Sequence, residues 1–283
     1  MCKAICLAFL VFCCGDAIAS NNDTSDGDNG MHVGLDKLFP KTLLSQVKTV
    51  AKSGRIVNGK TVSIESLPFI LRLRANGQGI CGASVISNWY ALTAAHCLEN
   101  YPDPSEITLY GGSTSQRSGG IVFQAEEIVI HPKYRKSPMD YDVAIVGVET
   151  PFTGYKNIAP VALQDVDLPS SSGPTMCYAA GWGLTNYQLK TSPDNLQQAW
   201  FRLLSFNECR DVYEDITPRV ICIVEGKAVD VCNGDSGGPL ICNGKLTGVA
   251  SFTAVGCGGQ APAGYAKVTD PEIRQFIREI TEI

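Results

Sequence analysis

From residue 66 onward the chain is written in short apolar stretches separated by turn formers. In FILRLRA (69–75), Phe69, Leu71 and Leu73 alternate with Ile70, Arg72 and Arg74, the two-residue period of a strand. ASVIS (83–87), IVFQAEEIVI (121–130), VAIVGVE (143–149), LTGVASF (246–252) and YAKV (265–268) read the same way. The period changes only near the C-terminus. There Ile273, Phe276, Ile277 and Ile280 recur at helical spacing, with Asp270 placed to cap and Pro271 suited to the first turn. No internal repeat is visible. Many short strands and one terminal helix point to a mostly-β barrel or sandwich.

Residues before 66 follow other rules. Lys3 precedes the apolar run ICLAFLVFCC (5–14), and Ala17-Ile18-Ala19 offers a small-x-small cleavage site. This predicts a signal peptide over 1–19, since the run is too short to span a bilayer. NNDTSDGDNG (21–30) is polar and rich in turn formers, and Asn22-Asp23-Thr24 fits a glycosylation acceptor. Residues 35–52 carry some helical periodicity. Gly54-Arg55-Ile56-Val57-Asn58-Gly59 then places an arginine before two β-branched residues, the form of a cleavable junction.

Composition narrows the function. The 283 residues are 45% hydrophobic and 18% charged, enough to bury a core and too apolar for disorder. That length is normal for a pair of β-barrels counted as one unit. A net charge of -5 gives no reason to expect nucleic acid or an anionic membrane surface. Of the 12 cysteines, Cys2, Cys6, Cys13 and Cys14 fall in the leader, and the even remainder predicts a disulfide framework in a secreted, soluble protein. Its connectivity is left open by spacing alone. Three histidines and no Cys-x-x-Cys beyond the leader argue against zinc.

Three segments carry candidate chemistry. WYALTAAHC (89–97) presents His96, MDYDVAIV (139–146) presents Asp142, and GDSGGP (234–239) presents Ser236 among glycines. Each alone reads as an ordinary structural residue. Together they supply a weak nucleophile, a base that works near neutral pH, and a carboxylate to fix the base's tautomer. The glycines let the Gly234 and Ser236 N–H groups face a developing oxyanion.

With RIVNG, LTAAHC, DYDVAIV, GWG (181–183), GDSGGPL and the SF before CGG, the chain from 56 to 283 resembles a chymotrypsin-family (trypsin-like) serine protease. The pieces occur in the family's order, His then Asp then Ser. The resemblance implies an all-β fold of two packed six-stranded antiparallel β-barrels with a C-terminal α-helix. It implies His96 as base, Asp142 as its orienter, Ser236 as nucleophile, Ser251 as support for Asp142, and Gly234 and Ser236 as oxyanion donors. It implies the disulfides Cys81–Cys97, Cys177–Cys242, Cys209–Cys222 and Cys232–Cys257. All the remaining cysteines are then used, so a prosegment over 20–55 is expected to leave after cutting. The same resemblance makes Arg55–Ile56 the activation bond, cut by a protease that reads arginine, and pairs the freed Ile56 amine with Asp235. The protease domain is then 56–283.

Substrate choice is divided. By resemblance Asp230 forms the floor of the primary pocket and favours Arg or Lys at P1. Val231 stands where a hydroxyl is usual, and Thr253 and Ala263 replace two glycines of the pocket wall, while Phe252 replaces a tryptophan. These departures favour an elastase-, chymotrypsin- or collagenase-like choice. An inactive protease-fold binding protein is an alternative of another class, and the intact triad, oxyanion glycines and activation site count against it. A disulfide-rich extracellular binding module explains the cysteines but not the triad order. No cofactor or metal is expected. The loop GGSTSQRSGG (111–120) lacks the acids of a calcium site, and His131 reads as a structural loop residue. Protein or peptide substrates, protein protease inhibitors and a monomer are the expected partners and state.

Overall fold

The computed structural model describes residues 59–168, 174–225, 230–254, 257, 259 and 261–283. The expected signal peptide (1–19), the expected activation segment (20–55) with its glycosylation motif, and the Arg55–Ile56 bond lie outside the described residues. The first described strand, β1 (Lys60–Thr61), is a short strap.

The first barrel is built from β2 (Ile70–Ala75), β3 (Gln78–Val85), β4 (Tyr90–Thr93), β5 (Ile107–Gly111) and β6 (Ile121–Ile130). A small hairpin of β7 (Arg135–Lys136) and β8 (Met139–Asp140) then leads into its last strand, β9 (Ala144–Val148). The ring runs β2-β3-β4-β9-β6-β5 and closes through the antiparallel pairing of β2 with β5. Closure removes every strand edge and leaves a tube to be filled with side chains. Leu71, Leu73, Val85, Leu92, Leu109, Phe123 and Ile145 are all buried in its core cluster. Each such side chain contributes roughly 1.5–3 kcal/mol relative to exposure.

The second barrel contains β10 (Met176–Gly181), β11 (Gln197–Leu203), β12 (Val220–Val224), β13 (Pro239–Cys242), β14 (Lys245–Phe252) and β15 (Ala263–Lys267). Its order is β11-β10-β13-β14-β15-β12, and Arg202↔Val224 and Leu203↔Ile223 close the ring. The strap β1 adds to the free side of β11 through Lys60↔Gln198 and Thr61↔Gln197. A short helix, α1 (Phe206–Arg210), precedes β12, with Ser205 and Glu208 forming a reciprocal capping box.

The C-terminal helix α2 (Pro271–Thr281) starts at Asp270, whose side chain accepts from the N–H groups of Glu272 and Ile273. Ile273, Phe276 and Ile277 are buried and Ile280 partly so. Although α2 follows the second barrel, it docks on the first. Phe276 lies 4.6 Å from the His131 ring, which stacks on Tyr141 at 4.7 Å. Burial lowers the His131 pKa, and its Nδ1 accepts from the Lys133 N–H at 3.1 Å. His131 is therefore a neutral packing residue.

Two sequence expectations shift. The segment 83–87 is the end of a longer strand, β3, because backbone pairing with β2 runs through Gly79 and Gly82 despite the weak apolar pattern. The alternation in β2 does not separate inside from solvent. Ile70 and Arg72 are buried as well as Leu71 and Leu73. The face carrying Arg72 is covered because it meets the second barrel, where Arg72 reaches the Gly234 carbonyl.

Candidate active site

The candidate residues gather where the barrels meet. His96 lies in the turn after β4. A disulfide, Cys81–Cys97, joins β3 to that turn. Asp142 lies between β8 and β9. It is 1% exposed, so its oxygens need partners. The His96 backbone N–H donates to Oδ1 at 2.9 Å, and His96 Nδ1 lies 2.8 Å from Oδ2. Ser251 Oγ, on β14, donates to the same Oδ2 at 2.6 Å. This arrangement places the imidazole proton on Nδ1 and leaves Nε2 as the acceptor, the tautomer a base needs. Burial alone lowers the His96 pKa, but the charge and hydrogen bond of Asp142 outweigh it and the net shift is upward.

Ser236 lies in the turn before β13. Gly237 next to it has φ +74, and a Cβ there would collide with Thr93 Oγ1 and lie 2.5 Å from the Gly82 carbonyl. Only glycine lets this turn sit so close to the segment that leads into His96. Gly82 N–H donates to the Ser236 carbonyl at 2.7 Å, and Gly237 N–H donates to the Ala250 carbonyl at 2.8 Å. The turn is thus fastened to both barrels. Among the described residues Ser236 Oγ makes no hydrogen bond. The bond from a nucleophile to its base is commonly loose in an unliganded site and tightens on substrate.

Asp235 is buried just before Ser236. Its Oδ1 accepts from Gly183 N–H at 2.8 Å and its Oδ2 from Cys232 N–H at 3.1 Å. Burial dominates these bonds and the charge of Arg72, and its pKa is pushed up to about 6. Ionising this carboxylate is therefore costly with the partners the described residues supply. Ile56, its expected partner, lies outside the described residues.

The pocket residues also converge. Asp230 is 3% exposed, with Val231 and Ala263 buried in one core cluster. Gly259 N–H donates to Asp230 Oδ2 at 3.0 Å, and Thr253 Oγ1 lies 3.3 Å from Oδ2 and 3.5 Å from Oδ1. Thr253 therefore reaches the acid across the expected pocket. The disulfide Cys232–Cys257 ties the segment after Asp230 to the segment after β14. The remaining disulfides, Cys177–Cys242 and Cys209–Cys222, join β10 to β13 and α1 to β12. Each is worth about 2–4 kcal/mol by restricting the unfolded chain.

Cys81, His96 and Cys97 form a compact sulfur and nitrogen cluster, but both sulfurs are joined in the disulfide and offer no thiolate to a metal. Sequence reasoning missed Asp140, two residues before Asp142. Asp140 accepts from Arg219 at 2.7 and 2.8 Å, from Arg135 at 2.7 Å and from Thr217 at 2.8 Å. These groups overcome its burial and hold its carboxyl down at about 2. Arg219 is far away in the chain, so no local pattern signals the pair.

The trypsin family model matches residues 56–277. The chain is 34% identical over 236 residues to "Trypsin 5G1" of Aedes aegypti, covering 81% of this chain and 86% of the relative. It is 32% identical over 232 residues to "Serine protease 1" of Canis lupus familiaris, covering 81% of this chain and 89% of the relative. With two closed six-stranded antiparallel barrels and a C-terminal helix, the chain belongs to the trypsin family and is a serine-type endopeptidase.

Proposed function

We propose that the protein is secreted as a zymogen with a signal peptide over 1–19 and an activation propeptide over 20–55. Cleavage between Arg55 and Ile56 releases the protease domain, 56–283, as an active monomer. Ser236 Oγ attacks the scissile carbonyl and His96 Nε2 takes its proton. Asp142 stabilises the imidazolium, and Ser251 holds Asp142 in place. The Gly234 and Ser236 N–H groups receive the oxyanion. His96 then gives the proton to the leaving amine, and water repeats the sequence on the acyl-enzyme. The observation that carries this reading is the Asp142 carboxylate, buried and bonded at once to the His96 backbone N–H, to the His96 ring Nδ1 and to Ser251 Oγ.

Asp235 supplies the link to activation. A fully buried carboxylate with a pKa near 6 is costly to ionise until a cation joins it. The freed Ile56 amine is that cation. An Arg55→Gln chain exposed to trypsin should stay inactive, and full activity of that variant would overturn the zymogen reading. A fluorophosphonate should label Ser236 in the trypsin-treated wild type, and absence of labelling would sink the hydrolase assignment of that residue.

At P1 we propose Arg or Lys, drawn by Asp230. The long Thr253 contacts at 3.3 and 3.5 Å are weak enough to yield to a cationic head group. The same contacts favour a second reading, in which Thr253 closes the floor and a small or apolar P1 residue is taken, as in elastase-, chymotrypsin- or collagenase-like enzymes. A profile of Arg, Lys, Phe, Leu and Ala at P1 decides between them. Protein protease inhibitors that present a P1 residue follow the same preference.

A further inference from the structure

We propose that Arg72 is a positioning residue for the oxyanion loop, acting from the first barrel on the second. The proposal rests on the reading of Ser236 and Gly234 given above. Arg72 lies midway along β2, paired with Gly82 on β3 and Tyr110 on β5. It is 6% exposed. Its Nη1 donates to the Gly234 carbonyl at 2.7 Å and its Nη2 to the Gly79 carbonyl at 3.2 Å. Its Nε is buried and has no hydrogen-bond partner among the described residues.

A buried guanidinium with an unused donor is costly, so packing alone does not explain it. The site makes room for it. A Cβ on Gly79 would lie 2.5 Å from Arg72 Nε and 3.0 Å from Nη2. The Asp235 carboxylate, next to Gly234 in the chain, favours the cation by its charge.

The position of the contact gives it a role. Gly234 and Ser236 are the two residues whose N–H groups must point at the oxyanion. Both of their carbonyls are held by the first barrel. Gly82 N–H holds that of Ser236 at 2.7 Å, and Arg72 holds that of Gly234. Gly234 has φ +95 and no side chain to restrain it. A charge-assisted bond on its carbonyl fixes the planar peptide that follows and so limits rotation of the loop carrying the N–H donor. Loss of that bond removes stabilisation from the transition state and leaves substrate binding nearly intact.

The test compares activated wild type with Arg72→Met, Arg72→Lys and Gly79→Ala, each checked by thermal melting. Arg72→Met should lower kcat by about 10–100-fold with KM changed less than about 3-fold. Affinity for a peptide aldehyde, which forms a tetrahedral adduct on the nucleophile, should fall by a similar factor. Arg72→Lys should restore part of the loss. Gly79→Ala keeps the cation but takes its space, and should lower kcat in the same direction. A folded Arg72→Met enzyme with wild-type kcat, or with a loss confined to KM and unchanged aldehyde affinity, overturns the proposal. If Arg72→Met does not fold, Gly79→Ala decides, and wild-type kcat in that variant overturns it. Failure of the underlying protease reading is distinguishable, because the wild type itself would then resist fluorophosphonate.

Discussion

Asp140 and Asp235 are both buried carboxylates at the junction of the barrels, yet their surroundings push them in opposite directions. Asp140 has two arginines and a threonine hydroxyl on its oxygens, and its pKa is held at about 2. Asp235 has two backbone N–H groups, with Arg72 acting only through space, and burial lifts its pKa to about 6. Neither side chain meets solvent, but Asp235 is enclosed more deeply, so the difference comes both from depth of burial and from the cations in direct contact with Asp140. The first site is complete and serves as a fixed clamp under the Asp142 turn. The second has no cation in direct contact among the described residues, and on the proposed activation the freed Ile56 amine supplies one, which is the property a switch requires.

A third buried acid, Asp142, sets the upper end of the scale. Asp142→Asn should lower kcat by about 10⁴-fold, the magnitude established for this family's triad. Because Asp142 raises the His96 pKa and, on the proposed mechanism, neutral His96 is the active form, wild-type activity should fall as pH drops through a value raised from the ordinary histidine one. Asp142→Asn should move that limb to lower pH, and a pH–rate profile of both enzymes checks it.

The contrast between the clamp and the switch is tested next. Asp235→Asn should cut kcat by about 10²–10³-fold, comparable to loss of an oxyanion donor, while the melting temperature changes little or rises at neutral pH. Asp140→Asn should do the reverse. It removes the carboxylate in direct contact with Arg219 and should cost about 3 kcal/mol in denaturant unfolding, with kcat per folded enzyme nearly kept. If both variants lose stability and activity in the same proportion, the distinction fails.

The smallest effect is in pH dependence. Asp140 has a depressed folded pKa, so its contribution is present above about pH 4 and is lost as pH falls toward 2. Asp235 has a raised one. In an Arg55→Gln chain its contribution is present below about pH 4 and is lost as pH rises through about 6, amounting to roughly 2–3 kcal/mol. Cleavage at Arg55 should flatten that second slope, and thermal melts from pH 4 to 8 on cut and uncut protein measure it.

Much of this was readable along the chain because the signals are local. His96, Asp142 and Ser236 each sit in a short run with its own residue pattern, and β6 was legible residue for residue as an alternating segment. The terminal helix announced itself by its spacing and by Asp270. The helix α1 was missed because it is too short to show a period. Ser205 and Glu208, three residues apart, were the available signal. Barrel closure through β11 and β12 leaves no mark in either strand alone. The roles of Arg72 and Arg219 depend on partners far away in sequence, and an arginine between apolar residues reads as a solvent-facing position until the neighbouring barrel is seen to cover it. Thr253 was visible as a bulky wall residue, but its reach to Asp230 was not.

The strap β1 has a consequence for activation kinetics. Thr61 pairs with Gln197, which pairs in turn with Gly181, and a side chain at Gly181 would run into the Asp235 carboxylate. The anchored strand is therefore two strand spacings, on the order of 10 Å, from the acid. Only Ile56–Gly59 would extend beyond it after cleavage, a reach of about 13 Å. On the proposed activation the new amine is a ligand on a very short leash, with an effective concentration in the millimolar range or above. An ammonium–carboxylate affinity too weak to matter between separate molecules is then sufficient, and a free dipeptide offered to the uncut chain would have to be supplied at such concentrations to imitate it.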